Sequence, residues 1–227
     1  MLVKNWMSKE VITVDIDDSM QNAISLIKKH NVRLLPVMKK GKLVGIVSDR
    51  DLKRASASDA TTLDIHELLY LLSKIKLKSI MTQKPVTVPD DYTVEETAEV
   101  LLSNKISGAP VLDQDGKVVG IITQSDLFRV LISLTGISSK GIQFAFRLED
   151  RPGSIKEVAD VIREFGGRMV SILTSYEKVE TGFRRVYIRM HNIDRQKLGQ
   201  LKDVLRERFS VLYMVDHRTN QREIYEG

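Results

Sequence analysis

The sequence predicts an α/β (α+β) protein: two tandem β-α-β-β-α repeats followed by one βαββαβ unit. Three observations lead there. The phrase "GIVSDRD" at 45–51 returns as "GIITQSD" at 120–126. The likeness extends to either side of it at a spacing of 74 to 75 residues, and self-similarity at a fixed spacing marks a duplicated supersecondary unit. From residue 142 onward the repeat is gone, and Ile142, Phe144, Phe146 and Leu148 alternate with Gln143, Ala145, Arg147 and Glu149, as in a half-buried strand.

The repeats align in order. "MSKEVITV" (7–14) lies on "MTQKPVTV" (81–88), "NVRLLPVM" (31–38) on "KISGAPVL" (105–112), and "GKLVGIVSDRDL" (41–52) on "GKVVGIITQSDL" (116–127). Each copy opens on a short extended piece, Val11–Val14 or Val86–Val88. A helix follows, with Ser19 or Thr93 as N-cap, and Thr93-x-x-Glu96 has the capping-box spacing. Apolar residues then recur at helical intervals: Met20, Ala23, Ile24 and Ile27 in one copy, Val94, Thr97, Ala98 and Leu101 in the other. Two strands joined by a Gly turn come next, Leu34–Met38 with Leu43–Val47 and Ala109–Leu112 with Val118–Ile122. A last helix follows "SDRDL" or "QSDL". The repeats are placed at residues 1–56 and 77–135. Between them, at 57–76, Leu63, Leu68, Leu69, Leu72 and Ile75 mark an amphipathic linking helix.

"LTGISSKG" (134–141) breaks the pattern, and residues 136–141 are read as a linker. The last domain is placed at 142–216. Ile142, Phe144, Phe146 and Leu148 form the inward face of its first strand. "EDRPGS" (149–154) is a turn, and Ser154-x-x-Glu157 opens a helix whose Ile155, Val158, Ala159, Ile162 and Phe165 share one face, ended by "FGG". Strands at Met169–Ser175 and Arg184–Met190, a helix carrying Leu198, Leu201, Leu205 and Phe209, and a strand at Val211–Val215 complete a ferredoxin-like order. The polar tail, 217–227, reads either as disordered or as a closing strand.

Composition narrows the function. The 227 residues include no cysteine, which excludes disulfides, thiolate metal sites and a cysteine nucleophile. No apolar run reaches membrane-span length and the start lacks a signal-peptide core, so a cytoplasmic protein with no membrane partner is expected. The net charge of +5 permits anionic ligands without demanding them. Walker A, GxGxxG, HExxH and GxSxG patterns are missing, and His30, His66, His191 and His217 have no paired spacing. No catalytic residue and no metal site are predicted. Because a catalytic site need not carry a motif, ATP turnover is the measurement that separates sensor from enzyme.

The repeated phrase has two readings. Ser48-x-x-Asp51 and Thr123-x-x-Asp126 precede apolar helices and fit helix caps. The same helix starts present free N–H groups and partial positive charge, which attract phosphate, while a carboxylate one turn in can accept a ribose diol. The repeats resemble a tandem pair of CBS domains, a Bateman module, through the opening Met-Ser/Thr, the apolar-Pro-Val strand and the Gly-apolar-apolar-Ser/Thr-x-x-Asp phrase. The resemblance implies adenine nucleotides (AMP, ADP or ATP) as regulatory ligands, with no catalytic cofactor. Carried over by position, it names Ser48 and Asp51 for one site and Thr123 and Asp126 for the other. Thr13, Val14, Leu35, Pro36, Thr87, Val88, Ala109 and Pro110 are then lining residues. The copies differ in charge. The first offers Arg33, Arg50, Lys53 and Arg54, where the second has Ser107 opposite Arg33 and Ser125 opposite Arg50. Either the first site prefers more phosphates or these are solvated helix faces.

The last third resembles an ACT domain through "LEDRPGSI" (148–155). The resemblance implies a possible amino-acid ligand at Asp150, Arg151, Gly153, Ser154 and Ile155. The alternative is that Gly153 serves backbone conformation alone. The order CBS–CBS–ACT resembles the bacterial acetoin-utilisation B-type proteins. That implies a homodimer through the CBS helices and through ACT sheets, with a target protein the sequence does not name. The function expected is a non-catalytic sensor that couples nucleotide binding to the ACT domain or a partner. The alternative is a constitutive dimerisation scaffold with vestigial sites. "TGFRRVYI" (181–188) echoes an RNA-recognition strand only in part: Arg185 and Ile188 replace aromatics, so nucleic acid is not the expected partner.

Overall fold

The computed structural model describes residues 1–57 and 65–225, without the side chains of residues 56, 57 and 65–69. The chain forms two compact units, Met1–Phe128 and Arg129–Gly227. The boundary falls inside a helix, earlier than the linker at 136–141. The physical reason is visible at its end: the Thr135 carbonyl accepts hydrogen bonds from Ser171 Oγ (3.0 Å) and Arg189 Nε (2.7 Å), both in the second unit.

The first unit runs β1 (Val14–Asp15), α1 (Met20–His30), β2 (Leu34–Lys39), β3 (Lys42–Ser48), α2 (Asp49–Ala57), α3 (Ile65–Lys74), β4 (Thr82–Gln83), β5 (Val88–Pro89), α4 (Val94–Ser103), β6 (Gly108–Leu112), β7 (Val118–Thr123) and α5 (Gln124–Thr135). Two sheets result, β1-β2-β3-β4 and β5-β6-β7. Each begins with a parallel pair, Val14 opposite Val37 and Val88 opposite Val111, and continues antiparallel. Each hairpin has a bulge at the same place, Val37/Met38 and Val111/Leu112. The turn between β2 and β3 places Lys40 and Gly41 at φ 48° and 78°, the left-handed pair that a tight hairpin needs. The extended pieces expected from Val11 and Val86 shrink to two-residue strands. In the linking helix, Leu72 is buried in the first core and Ile75 packs against it. Leu63 lies outside the described residues, as do the side chains of Leu68 and Leu69.

The caps form as their residue types require. Ser19 accepts the Asn22 N–H at 3.2 Å, and α1 closes on Asn31 in the left-handed region (φ 50°). Thr93 and Glu96 make the reciprocal box: Thr93 Oγ1 accepts the Glu96 N–H at 3.2 Å, and Glu96 Oε2 accepts the Thr93 N–H at 2.7 Å.

The two repeats exchange their leading segments. Val3 is fully buried in the core of the second repeat with Val88, Leu101, Ala109, Val111 and Ile122, and Trp6 and Met7 pack against it. Leu77 is fully buried in the core of the first, beside Met20, Leu35 and Val47, with Ile80 and Met81 alongside. Backbone bonds follow the same crossing: the N–H groups of Val3 and Lys4 reach the carbonyls of Tyr92 and Asp90, while those of Leu77 and Lys78 reach Asp18 and Ile16. Strand β4 pairs with β3 (Ile46 opposite Thr82), and Ser8 bridges Ile121 in the same relation. Gly45 and Gly120 permit this approach. A Cβ on Gly45 would lie 2.5 Å from Met81 Sδ, and one on Gly120 would lie 2.3 Å from Met7 Sδ.

The second unit contains β8 (Ile142–Glu149), α6 (Ser154–Glu164), β9 (Arg168–Ser175), β10 (Phe183–His191), α7 (Leu198–Arg208), β11 (Ser210–Asp216) and β12 (Gln221–Ile224). The sheet order is β12-β11-β8-β10-β9, antiparallel throughout. Its inner face carries Ile142, Phe144, Phe146, Leu148, Val186, Ile188 and Met190, covered by Val158, Ile162, Leu201 and Leu205 of the helices. The polar tail supplies the edge strand β12, because main-chain pairing with β11 does not need apolar side chains.

Candidate functional site

A cavity of ≈ 410 Å³ opens where β3 passes into α2. Ser48 and Asp51 lie at its wall and form a cap. Asp51 Oδ2 accepts from Ser48 Oγ at 2.5 Å and from the Ser48 N–H at 2.9 Å, while Ser48 Oγ accepts the Asp51 N–H at 3.2 Å. The cap therefore employs one carboxylate oxygen, and Oδ1 of Asp51 makes no hydrogen bond among the described residues. The first turn of α2 leaves backbone N–H groups and a partial positive charge at the cavity.

The opposite wall comes from the second repeat, delivered by the exchanged segment. After β4 pairs with β3, the chain lines the cavity with Thr82, Lys84, Pro85 and Val86. The end of α4 and the start of β6 add Lys105, Ile106, Ser107 and Gly108, and Gln124 completes the wall. Four cations, Arg50, Arg54, Lys84 and Lys105, thus line a cavity that holds two carboxylates, Asp49 and Asp51. Asp49 is already paired with Lys53 at 3.4 Å. Lys84 and Lys105 sit in the left-handed region, φ 48° and 54°. The same backbone occurs at the hairpin turn of Lys40 and at the helix end of Asn31. Asn31, the counterpart of Lys105, shares it; Glu10, the counterpart of Lys84, does not.

The second junction repeats the cap. Asp126 Oδ2 accepts from Thr123 Oγ1 at 2.7 Å and from the Thr123 N–H at 2.9 Å. Asp126 is 3% exposed, whereas Asp51 is half-buried. By repeat alignment, the positions matching the first wall are Ser125 for Arg50, Glu10 for Lys84, Asn31 for Lys105 and Arg33 for Ser107, and Arg54 is matched by Arg129. Asp49 matches Gln124, so by alignment two arginines correspond there to three carboxylates, Glu10, Asp49 and Asp126.

Of the residues the sequence singles out, the structure brings Ser48, Arg50, Asp51, Arg54 and Ser107 together at one cavity. Leu35, Val88 and Ala109 are fully buried and Val14 is 3% exposed. Pro36 and Pro110 are buried beside them, Thr87 is half-buried, and Thr13 and Arg33 are exposed. From β2, β3 and β6 the cavity is lined by Leu34, Ile46, Ser48 and Gly108. Lys84, Lys105 and the 82–86 wall were missed because strand pairing between repeats leaves no local signal. The matched Met-Ser/Thr openings, each needed opposite a glycine of the other repeat, were the available clue.

In the second unit, the turn after β8 is self-satisfied. Arg151 forks onto Glu157 at 2.7 and 2.9 Å and donates to Glu149 at 2.9 Å. These carboxylates raise the guanidinium pKa, and the arginine holds Glu157 below the ordinary glutamate value. Asp150 accepts from Tyr176 at 3.3 Å and lies 3.6 Å from Arg184 Nε. Ser154 does not cap α6. Gly153, at φ 89°, occupies the N-cap, and the buried Ser154 hydroxyl donates to the Arg151 carbonyl at 3.1 Å and accepts from Arg184 at 3.0 Å. Ile155 packs against the core. Phe183, the aromatic closest to an RNA-stacking position, lies under the Arg147 guanidinium, 5.4 Å from it.

A duplicated β-α-β-β-α module with a ligand-sized cleft at a strand-to-helix junction defines the class of protein. A profile of the CBS domain family matches residues 3–58 and 77–133, and the chain belongs to that family. A CBS domain-containing protein of Dictyostelium discoideum is 37% identical over 134 residues, which span 59% of this chain and 92% of that protein. The crystal structure of the CBS domain pair of protein MJ0100, in complex with 5′-methylthioadenosine and S-adenosyl-L-methionine, is similar at 33% identity. It covers 58% of this chain and 99% of its own, with a TM-score of 0.50. A putative acetoin utilization protein (AcuB) from Vibrio cholerae is similar at 27% identity, covering 61% and 96%, with a TM-score of 0.50. No helix among the described residues is long and apolar enough to cross a membrane.

Proposed function

We propose that the CBS pair is a non-catalytic regulatory sensor that binds an adenine nucleotide, and that the Asp51 cleft takes the phosphate-bearing ligand. The observation that carries this reading is the placement of four cations around a helix start whose Asp51 retains an unused carboxylate oxygen. Asp51 Oδ1 accepts a ribose hydroxyl. The start of α2, with Arg50, Lys84 and Lys105, takes the phosphates. Leu34, Pro85, Val86 and Ile106 offer the apolar surface for adenine. The adenosine compounds bound by the MJ0100 CBS pair support the ligand class.

The sensor works by linkage: a nucleotide that prefers one arrangement of the protein shifts the population toward it. We read the second unit as an ACT domain, supported by its βαββαβ order and the left-handed Gly153 at its first turn. Exposed Leu102 on α4 (77%) and Phe128, Leu131 and Ile132 on α5 support a homodimer through the CBS helices.

Calorimetric titration of ATP into wild-type, Asp51→Ala and Asp126→Ala protein tests the reading. ATP affinity is expected to fall at least about tenfold in Asp51→Ala, as loss of a charge-assisted contact implies, and less in Asp126→Ala. Equal loss in both removes the assignment of ATP to the first cleft. Absence of ATP binding in the wild type removes the sensor reading.

A further inference from the structure

The second unit has a cavity of its own on the outer face of its sheet. Along β10, Ile188 and Met190 point into the core, so Arg189 between them lies on the face away from α6 and α7. It is nevertheless 3% exposed. Its Nε donates to the Thr135 carbonyl at 2.7 Å and its Nη2 to Gln143 Oε1 at 2.5 Å. Nη1 is buried and has no hydrogen-bond partner, and no carboxylate pairs with this arginine among the described residues. A buried cation without a counter-charge is costly and calls for an anion.

Beside it lies a cavity of ≈ 410 Å³, within the size range of small-molecule sites. Its lining holds Arg189, His217 and Arg222 and no acidic residue. Burial, together with Arg189 and Arg222, holds His217 below the ordinary histidine value. Tyr213 Oη accepts from Gln143 Nε2 at 3.1 Å, which leaves its own proton to donate. Ile137, Val215 and Ile224 supply an apolar wall.

We infer that this cavity binds the carboxylate of a small organic acid with a short aliphatic chain. The carboxylate accepts from Arg189 Nη1 and Tyr213 Oη, and the chain lies on Ile137, Val215 and Ile224. Apolar side chains at the rim favour a carboxylate with a tail over a bare phosphate. The site is separate from the turn at 149–155: Gln143 lies near the start of β8 and Asp150 just past its end, roughly 23 Å apart at strand rise. It is also independent of nucleotide binding in the first unit.

The test uses the full chain with sodium butyrate, the neutral isostere butyramide and inorganic phosphate at matched ionic strength. Calorimetry and amide shifts of β11 are the readouts. Butyrate is expected to bind and perturb the Val215 and His217 amides, with butyramide and phosphate each weaker by about tenfold or more. Arg189→Met should weaken butyrate by about ten- to a hundredfold while the protein stays folded, since the substitution removes an uncompensated buried charge. Should Arg189→Met fail to fold, Ile224→Asp on the exposed edge strand serves instead, placing a like charge at the rim and lowering butyrate affinity. Equal binding of butyrate and butyramide, equal binding of phosphate, or butyrate affinity unchanged in the folded variant would each overturn the proposal.

Discussion

The Ser48–Asp51 and Thr123–Asp126 junctions share one local structure and differ in what surrounds it. In both, Oδ2 of the aspartate accepts from the hydroxyl and from the N–H three residues earlier, at nearly equal distances. That half of the phrase belongs to the helix, which needs its first N–H groups and its entry angle fixed. The surroundings diverge: Arg50, Lys84 and Lys105 at the first junction correspond to Ser125, Glu10 and Asn31 at the second. The cap is common property of the repeat. Half of the cleft's cations, Lys84 and Lys105, come from the other repeat, and the exchanged segment carries residues 82–86 to the first junction.

The largest expected effect tests the exchange itself. Leu77 is fully buried in the first core although it opens the second repeat in sequence. Leu77→Ala should cost about 2–5 kcal/mol, the usual range for a buried leucine. Amide protection should be lost from β1, β2 and β3 more than from β5, β6 and β7. Val3→Ala should do the reverse, at a smaller cost. Hydrogen exchange that loosens the sequence-local repeat in each case would break the comparison, for the clefts would then not be shared.

Next in size is the charge of the wall. Lys84→Glu installs the residue type found at position 10 of the other repeat. ATP affinity should fall about tenfold, the equivalent of about 1.4 kcal/mol, with adenosine affinity unchanged. The loss should shrink with added salt, since Lys84 is exposed and its field is screened. Glu10→Lys should raise ATP affinity at the second junction. Adenosine affinity falling alongside ATP would mean that Lys84 shapes the cleft and does not read phosphate.

How much of this was legible in the sequence depends on the range of the interaction. The repeats, the hairpins and the caps at Ser19 and Thr93 follow from local residue type and spacing, and the structure has them within a residue or two. The exchange of leading segments is a long-range pairing that the repeat alignment leaves undetermined, because residues 2–8 and 76–82 are near-equivalents and suit either core. The lining strand residues expected at Leu35, Pro36, Ala109 and Pro110 cover both faces of their strands, because a period-2 strand shows which residues share a face but not which face meets the cleft. Ser154 has the right type for a cap, but Gly153 adopts φ 89° one residue earlier and takes the position. Arg189 carries no signal in the sequence that sets it apart from the other charges of its strand. Only the packing of residues 135–143 over it makes it a buried one.

The smallest expected effect separates the first helices of the two repeats. Ser19 caps α1 with Asn22 at the third position, whereas Thr93 caps α4 with Glu96. The Thr93 N–H and hydroxyl hold the Glu96 carboxyl below its ordinary value of 4.5. A lowered folded-state pKa contributes stability that is present above 4.5 and is lost as pH falls through the lowered value. Acid should therefore loosen α4 and leave the α1 cap, which has no titrating member, unaffected. Thr93→Ala should cost about 1 kcal/mol at neutral pH. Glu96→Gln should flatten the acid limb of the melting temperature relative to wild type, while Asn22→Ala leaves that limb unchanged. If Glu96→Gln and wild type lose stability in parallel below pH 4.5, the box is held by its hydroxyl alone and the two caps are energetically alike.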